Sequence, residues 1–229
     1  MSEILITADQ HFAHPNVLRH AKRPFIKPGD LTDSGQWVSK EIANKRCAEM
    51  DDCLIEEHNA LATQSSTTYC IGDMAWRNHR HYIKALKGHK IIILGSHDKM
   101  NQETLRCFTE VHTLLKRTFF DNTVLTYMVH CTPRTWDSRT YGALALSGHV
   151  HAGFNSCLLP NSWDCGVDSA YQVVGKYRPF RLEEIVDICK NGHPKVRFIK
   201  SIFEDPEAIS DEEEEAQGSG PYPIKNQEE

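Results

Sequence analysis

The sequence predicts a mixed α/β domain in which helices cover β-sheet, and three observations lead there. Short runs of β-branched and aliphatic residues recur along the chain. Segments with helical spacing alternate with them early, and strands then follow mostly in succession. Each β-like run also stops on a glycine or a polar residue, and in such folds ligands collect beyond the carboxyl ends of strands.

Taken in order, the run ILITA (4–8) leads into Asp9-Gln10-His11. Residues 37–62 carry Val38, Ile42, Leu54, Ile55 and Leu61 at roughly helical spacing and are read as helix in two pieces. TTYCI (67–71) leads into Gly72-Asp73, and a short helix is expected over 79–87. IIIL (91–94) leads into Gly95-Ser96-His97-Asp98, followed by an expected helix over 103–111. Asp121-Asn122 marks a hairpin turn before TVLTYMV (123–129), which ends at His130. ALALS (143–147) leads into Gly148-His149-Val150-His151. A helix over 181–190 is closed by Asn191-Gly192, and 195–203 is read as a last strand. The expected division is one domain over 1–203 and an acidic, disordered tail over 204–229. No internal repeat is present.

The 229 residues suffice for one sizeable core, and 40% apolar with 25% charged residues is ordinary for a soluble globular chain. No stretch is long and apolar enough to span a bilayer, and residues 1–8 lack the basic flank and cleavage site of a signal peptide. A cytoplasmic protein is expected. The eight cysteines form no CxxC pair, which points to free thiols rather than a disulfide framework or a zinc knuckle. Cys47 and Cys53 fall in a helical region and are read as core packing. The net charge of −5 is uneven: from Glu204 onward ten acids face one base, Lys225, which leaves a body of 21 acids and 25 bases, about +4. A mildly basic body suits an anionic substrate and falls short of the footprint of a dedicated nucleic-acid binder.

The polar endings carry the chemistry. Asp9 and His11 are two residues apart, as are His149 and His151, and in extended chain each pair can face the same side and close on one ion. Histidine nitrogens and carboxylate oxygens suit Mn, Fe, Zn or Ni without thiolate. Gly72 lets the chain turn so that Asp73 comes close, and a carboxylate can hold one cation or bridge two. Each piece alone has an ordinary explanation. D-x-H is common on surfaces, G-D is a turn, and a histidine at a strand end is usually a satisfied core residue. Crowded together without a cation, however, these groups would each need an internal partner.

The ordered set Asp9-x-His11, Gly72-Asp73, Gly95-x-His97-Asp98, His130 and Gly148-His149-x-His151 resembles the calcineurin-like metallophosphoesterases. The closer likeness is to small bacterial and phage members. It lies in the Asp-x-His-Phe-x-His-x-Asn stretch from Asp9 to Asn16, in Arg23-Pro24-Phe25, in Leu86-Lys87-Gly88 and in Gly166-Val167-Asp168. The likeness covers roughly residues 4 to 200. It implies a four-layer α/β/β/α sandwich with two divalent metal ions at the strand ends, manganese first, with iron, zinc, nickel or magnesium as alternatives. By position, Asp9, His11 and His151 would hold the first ion, Asp73 would bridge, and His130 and His149 would hold the second. His97 would be no ligand and would stand beside the leaving oxygen.

The implied activity is hydrolysis of a phosphodiester or phosphomonoester. Two cations about 3.5–4 Å apart can clamp the attacking and leaving oxygens, and a bound water with a pKa near ~7 supplies hydroxide for in-line attack. His97, protonated, can donate to the leaving group. Asp98 would either orient His97 or cap the turn. In the family an Asn normally precedes that histidine and ligates the second metal; Ser96 stands in its place, which implies a weakened second site. Relatives also usually begin Asp164-Cys165-Gly166-Val167-Asp168 with Asn, which puts the local hydrogen bonding there in question. Met74-Ala75-Trp76 after Asp73 departs from the Asp-Arg-Gly of the family's protein phosphatases.

His14 and Arg23 are candidate substrate contacts, since a guanidinium there could hold a phosphate oxygen; Arg23 could equally be a surface residue before Pro24. Trp76 and Trp136 can stack on a base or sugar, or pack in the core. The expected partner is a small phosphate ester or nucleotide, with no membrane and an unassigned protein partner for the tail. The competing readings are a nuclease acting on nucleic acid and a catalytically impaired scaffold, to which Ser96 gives some footing.

Overall fold

The computed structural model describes residues 3–153 and 158–198. The acidic tail and the far end of the expected last strand lie outside these residues. Over 195–198, in place of a strand, there are isolated bridges, His193 with Val196 and Leu158 with Phe198.

Strand β1 (Ile4–Thr7) is followed by α1 (Val17–His20), α2 (Lys40–Leu61), β2 (Thr67–Ile71), α3 (His79–Ala85) and β3 (His89–Ile93). Then come α4 (Gln102–Leu105), β4 (Glu110–His112), β5 (Leu114–Phe119), β6 (Val124–Cys131), a 3-10 turn (Arg139–Tyr141) and β7 (Leu144–Gly148). Strand β8 (Ser162–Asp164), α5 (Val167–Val174), β9 (Phe180–Arg181) and α6 (Leu182–Asn191) complete the order. The class is mixed α/β, as the sequence predicts.

The strands form two sheets, β4-β3-β2-β1-β9 and β5-β6-β7-β8. Strands β1 to β4 are parallel, with β9 antiparallel on the edge. In the second sheet β6, β7 and β8 are parallel and β5 is antiparallel to β6. Parallel pairing puts the endings of β1, β2 and β3 on one edge and those of β6 and β7 on another.

One apolar core lies between the sheets, where Ile6, Tyr69, Ile71, Ile91 and Ile93 meet Leu115, Phe119, Met128, Leu146 and Trp163, with Ile185 and Ile188 of α6. A second core buries α1, α2 and α3 on the other side of the first sheet, where Leu18, Met50, Leu54 and Ile83 meet Cys70 and Ile92. The period-two alternation of β2 and β3 explains both: Tyr69 and Ile71 face one core and Cys70 the other. A small cluster of Trp136, Ala143 and Ala145, with Leu125, Tyr127 and Leu159, receives no α-helical residue among the described ones.

Two helix expectations need correction. Residues 37–62 hold one helix of 22 residues rather than two pieces, because neither Gly nor Pro interrupts it and Ser39 caps its start by accepting from Ile42 N at 3.2 Å. Residues 103–111 split into the four-residue α4 and β4, since Val111 pairs with Ile92 and extends the first sheet. The hairpin at Asp121-Asn122 is present, with Phe119 paired to Val124 across the connection. Gly192 closes α6. Cys47 packs in the core and Cys53 is half-buried, both within α2.

Candidate metal centre

The polar endings converge into two ligand sets: Asp9, His11 and His151, and Asp73, His130 and His149. Within each set the potential ligand atoms lie within 4.8 Å of one another. Asp73, a member of the second set, also faces the first. Its Oδ2 is 3.3 Å from His130 Nε2 and 3.8 Å from His11 Nε2, the placement expected of a carboxylate able to serve both sides.

The local backbone differs from the reading by strand periodicity. Asp9, His11, Asp73, His149 and His151 all take positive φ, 56°, 51°, 53°, 75° and 47°. For non-glycine residues this left-handed region is sparsely populated and costs of order 1–3 kcal/mol each, a kind of strain that concentrates at functional sites. The pairs therefore converge through tight turns beyond the strands, not through the pleat. His149 and His151 also divide between the two sets instead of closing on one ion.

Backbone bonds lock these turns together. Asp9 N donates to Gly72 O at 3.0 Å, His11 N to Asp73 O at 3.1 Å, and Val167 N to Ala8 O at 3.0 Å. Gly95 and Gly148 permit the close approach: a Cβ at Gly95 would fall 2.4 Å from Asp73 Oδ1, and one at Gly148 would fall 2.5 Å from Asp9 Oδ2. His130 owes its aim to a bulge, since register slips between Met128 and Cys131 against β7. Its Nδ1 donates to Ile71 O at 2.9 Å, which turns Nε2 toward Asp73.

Further groups hold the ligands in place. Asp98 accepts from Asp73 N at 2.8 Å, Met74 N at 3.0 Å and Gly95 N at 2.8 Å, so it ties two motif turns together. Its role is to cap the turn, with its carboxylate committed to these amides and not to the ring of His97. His151 Nδ1 donates to Asp168 Oδ2 at 2.6 Å, leaving Nε2 for the site. Asp9 Oδ2 accepts from His149 N at 2.7 Å. Asp164, the departure from Asn, accepts from Gly166 N and Ala152 N, both at 2.8 Å, bonds that an Asn oxygen could take only singly.

The residues present fit a cation. Asp9 Oδ1, both ring nitrogens of His11 and His130 Nε2 are buried without a hydrogen-bond partner. Leaving such atoms unpaired is costly, and a divalent ion with nitrogen and oxygen ligands satisfies them. Burial pushes the Asp9 carboxyl up to about 7 despite His151, His130 and the His149 amide. Burial, with His151 and Arg23, drives His11 down to about 3, so its ring is neutral and able to ligate. Burial would lower His130, but the Asp73 carboxylate and the Ile71 carbonyl draw it up to about 9. Burial opposes ionisation of Asp73, yet the facing His130 ring and the hydrogen bond from the His97 amide hold it well below the usual carboxylate range.

His97 is no member of either set. Its imidazole is 46% exposed and its Nε2 lies 3.9 Å from Asp73 Oδ2. Ser96 Oγ donates to that same oxygen at 3.3 Å. His14 is half-buried; its Nδ1 accepts from Val17 N at 2.9 Å, and its ring lies 5.6 Å from that of His11. Arg23 does not rim the site. Its guanidinium is buried and fully engaged, with Asp168 and with the carbonyls of Asp9 and Gln10 at 2.7 and 2.9 Å. The sequence reading missed Asp168 as its partner, although a buried arginine requires an acid and the late Gly-Val-Asp offered one. Trp136 is core, with its indole bonded to Ala143 O at 2.7 Å. Trp76 is exposed beside the site.

No family model matches the sequence. An uncharacterized protein of Methanocaldococcus jannaschii is 21% identical over 198 residues, covering 84% of this chain and 94% of that protein. A protein of unknown function from Aquifex aeolicus, known by its crystal structure, has a TM-score of 0.55 at 17% identity, covering 82% of this chain and 100% of that one. That degree of likeness shows a shared fold. YfcE, a phosphoesterase from E. coli, has a TM-score of 0.35 at 10% identity over 72% of this chain and 78% of its own, too slight to bear on fold or activity.

Proposed function

We propose that the chain is a metal-dependent phosphoesterase that hydrolyses a phosphomonoester or phosphodiester, with two divalent ions held at the strand ends. The observation that carries the reading is Asp73 Oδ2, set between His130 Nε2 at 3.3 Å and His11 Nε2 at 3.8 Å, with Asp9, His11 and His151 on one side and His130 and His149 on the other. The motif resemblance supports it, and the four-layer sandwich belongs to the same proposal. Asp9, His11 and His151 would hold one ion, and His130 and His149 the other, with Asp73 available to both and Ser96 near it. When bound, such a pair lowers the pKa of water and neutralises charge gathering on a phosphoryl group.

The chain's own residues do the rest. Asp98 fixes the turn that carries Asp73, so the shared carboxylate keeps its place without help from the substrate. His97 stands exposed at the open side of the pair, where its ring can hold a proton for the departing oxygen. His14 lies on the rim between His11 and Trp76, placed to touch the substrate.

The test is hydrolysis of p-nitrophenyl phosphate and bis-p-nitrophenyl phosphate by the full chain with Mn²⁺, alongside the metal content of the purified protein. Turnover that EDTA abolishes and Mn²⁺ restores is expected. No bound ion and no turnover of either ester would overturn the proposal.

A further inference from the structure

Among the described exposed large hydrophobic residues, Trp76 alone has ring contacts with histidines that border the candidate centre, His14 and His97: it is 52% exposed, against 6% for Trp136 and 0% for Trp163. Its backbone is not loose. Trp76 N donates to Phe12 O at 2.8 Å, and the neighbouring Ala75 bridges to Phe12, so the indole is presented from a pinned turn. The ring of His14 meets it edge-on at 4.6 Å, with an interplanar angle of 77°. The ring of His97 lies 5.4 Å away, and His97 in turn lies 5.8 Å from His11. A line of rings thus runs from the first ligand set, through His97, to an indole left open to solvent.

We infer that Trp76 is a stacking platform for the leaving group, and that the substrate is a small phosphate ester of a nucleoside. The inference rests on the phosphoesterase reading above and adds the substrate class. Hydrolysis breaks the phosphorus–oxygen bond to the leaving alcohol and the water oxygen forms the new one; His97 gives its proton to the leaving oxygen, water releases one proton to solvent, and His97 regains a proton from solvent. The atoms behind that oxygen leave along the His97 side, where the indole is the first broad surface they meet. An aromatic face of this kind favours a planar base, which stacks on it with little regard to base identity. His14, by setting the indole edge-on against itself, holds the platform in one orientation.

The experiment compares wild type with Trp76→Leu and Trp76→Phe, each as the full chain loaded with Mn²⁺. The probes are adenosine 5′-phosphate, which presents a nucleoside as leaving group, and glycerol 2-phosphate, which has no ring. Trp76→Leu is expected to lower the ratio of kcat/KM for the ringed over the ringless ester by roughly tenfold or more, and Trp76→Phe to retain most of it. Calorimetric binding of adenosine 5′-phosphate is measured in parallel, so that slow turnover still gives an answer. Weaker binding in Trp76→Leu supports the platform. An unchanged ratio together with unchanged binding overturns it, even if both esters are hydrolysed and the phosphoesterase reading stands. Failure to bind Mn²⁺ or to hydrolyse any ester instead strikes that underlying reading. Preference for a single-stranded oligonucleotide over the mononucleotide would overturn the small-substrate class.

Discussion

Arg23 closes a two-pronged ion pair on Asp168, with Nε to Oδ1 and Nη2 to Oδ2 both at 2.8 Å. The pair is buried, and each partner serves the first ligand set. Arg23 also donates to the carbonyls of Asp9 and Gln10, and Asp168 accepts from His151. One guanidinium thus ties together the two distant segments that carry Asp9, His11 and His151. Burial alone would raise the Asp168 carboxyl, but Arg23 and His151 hold it down at about 2. Removing one partner of a buried pair leaves the other charge uncompensated. Arg23→Ala is therefore expected to destabilise the fold by about 3–5 kcal/mol in urea denaturation. A loss under about 1 kcal/mol would mean that water reaches Asp168 and the pair is not structural.

The same relationship predicts an asymmetry in metal binding. Asp168→Asn keeps the size of the side chain but weakens its hold on His151 Nδ1. Changes to such outer partners typically cost 10–100-fold in metal affinity. The loss is expected for the ion that Asp9, His11 and His151 would hold, with a smaller change for the ion that Asp73, His130 and His149 would hold. Calorimetric titration with Mn²⁺ resolves the two. Equal weakening of both ions would count against a specific link through His151.

Much of this centre was legible because apolar runs end abruptly in turns rich in His and Asp. Asp9, Asp73 and His130 could be found that way, since parallel pairing gathers the strand endings of each sheet on one of its edges whatever the loops do. The division of His149 and His151 between two sets is what the motif resemblance implies, and strand periodicity could not supply it, because it depends on two positive-φ residues in a turn that no hydrophobic pattern encodes. Arg23 misled for a related reason. Burial of a charge depends on a partner 145 residues away, and spacing along the chain carries no trace of that contact. Residues 103–111 misled through tertiary override: a short segment took the place beside β3 that the sheet had open.

Ser96 offers a gain-of-function test. Its hydroxyl is committed to Asp73 Oδ2 at 3.3 Å, on an exposed turn. Ser96→Asn lengthens the side chain and supplies an amide oxygen, the donor that the family resemblance implies for the second ion. The affinity of that ion is expected to rise by roughly tenfold or more, comparable to the effect of well-placed outer groups. The first ion should respond less. Binding isotherms with Mn²⁺ check this, and an unchanged weaker site would show that residue 96 is no determinant of it.

His97 predicts a dependence on the leaving group. An acid that protonates the departing oxygen matters most when that oxygen is strongly basic. His97→Ala is expected to lower kcat by about 10²–10⁴ for an alkyl phosphate. For p-nitrophenyl phosphate, whose leaving oxygen is stable as an anion, the loss should be much smaller. Steady-state kinetics on the two esters check the contrast. An equal loss on both would assign His97 to binding the phosphoryl group and not to proton delivery.

His58 predicts a pH dependence of stability that lies outside the candidate metal centre. It sits in the last turn of α2, buried, with Nε2 3.3 Å from Lys87 O. Burial pushes its pKa down to about 4, with Lys90 adding to the effect and the Lys87 carbonyl opposing it. Between pH 6.5 and 4 the unfolded chain therefore binds a proton that the folded chain refuses, and stability falls as pH falls. From pH 7 to pH 5 the residue's share of that loss is about 2 kcal/mol. Glutamine keeps a donor for the Lys87 carbonyl and cannot titrate, so His58→Gln should lack this share. Urea denaturation of both chains with EDTA present, at pH 7 and pH 5, isolates it, because the other histidines are common to both. The stability of wild type relative to His58→Gln should drop by about 2 kcal/mol between the two conditions. A gap that stays constant would mean that His58 accepts its proton in the folded state as readily as in the unfolded one.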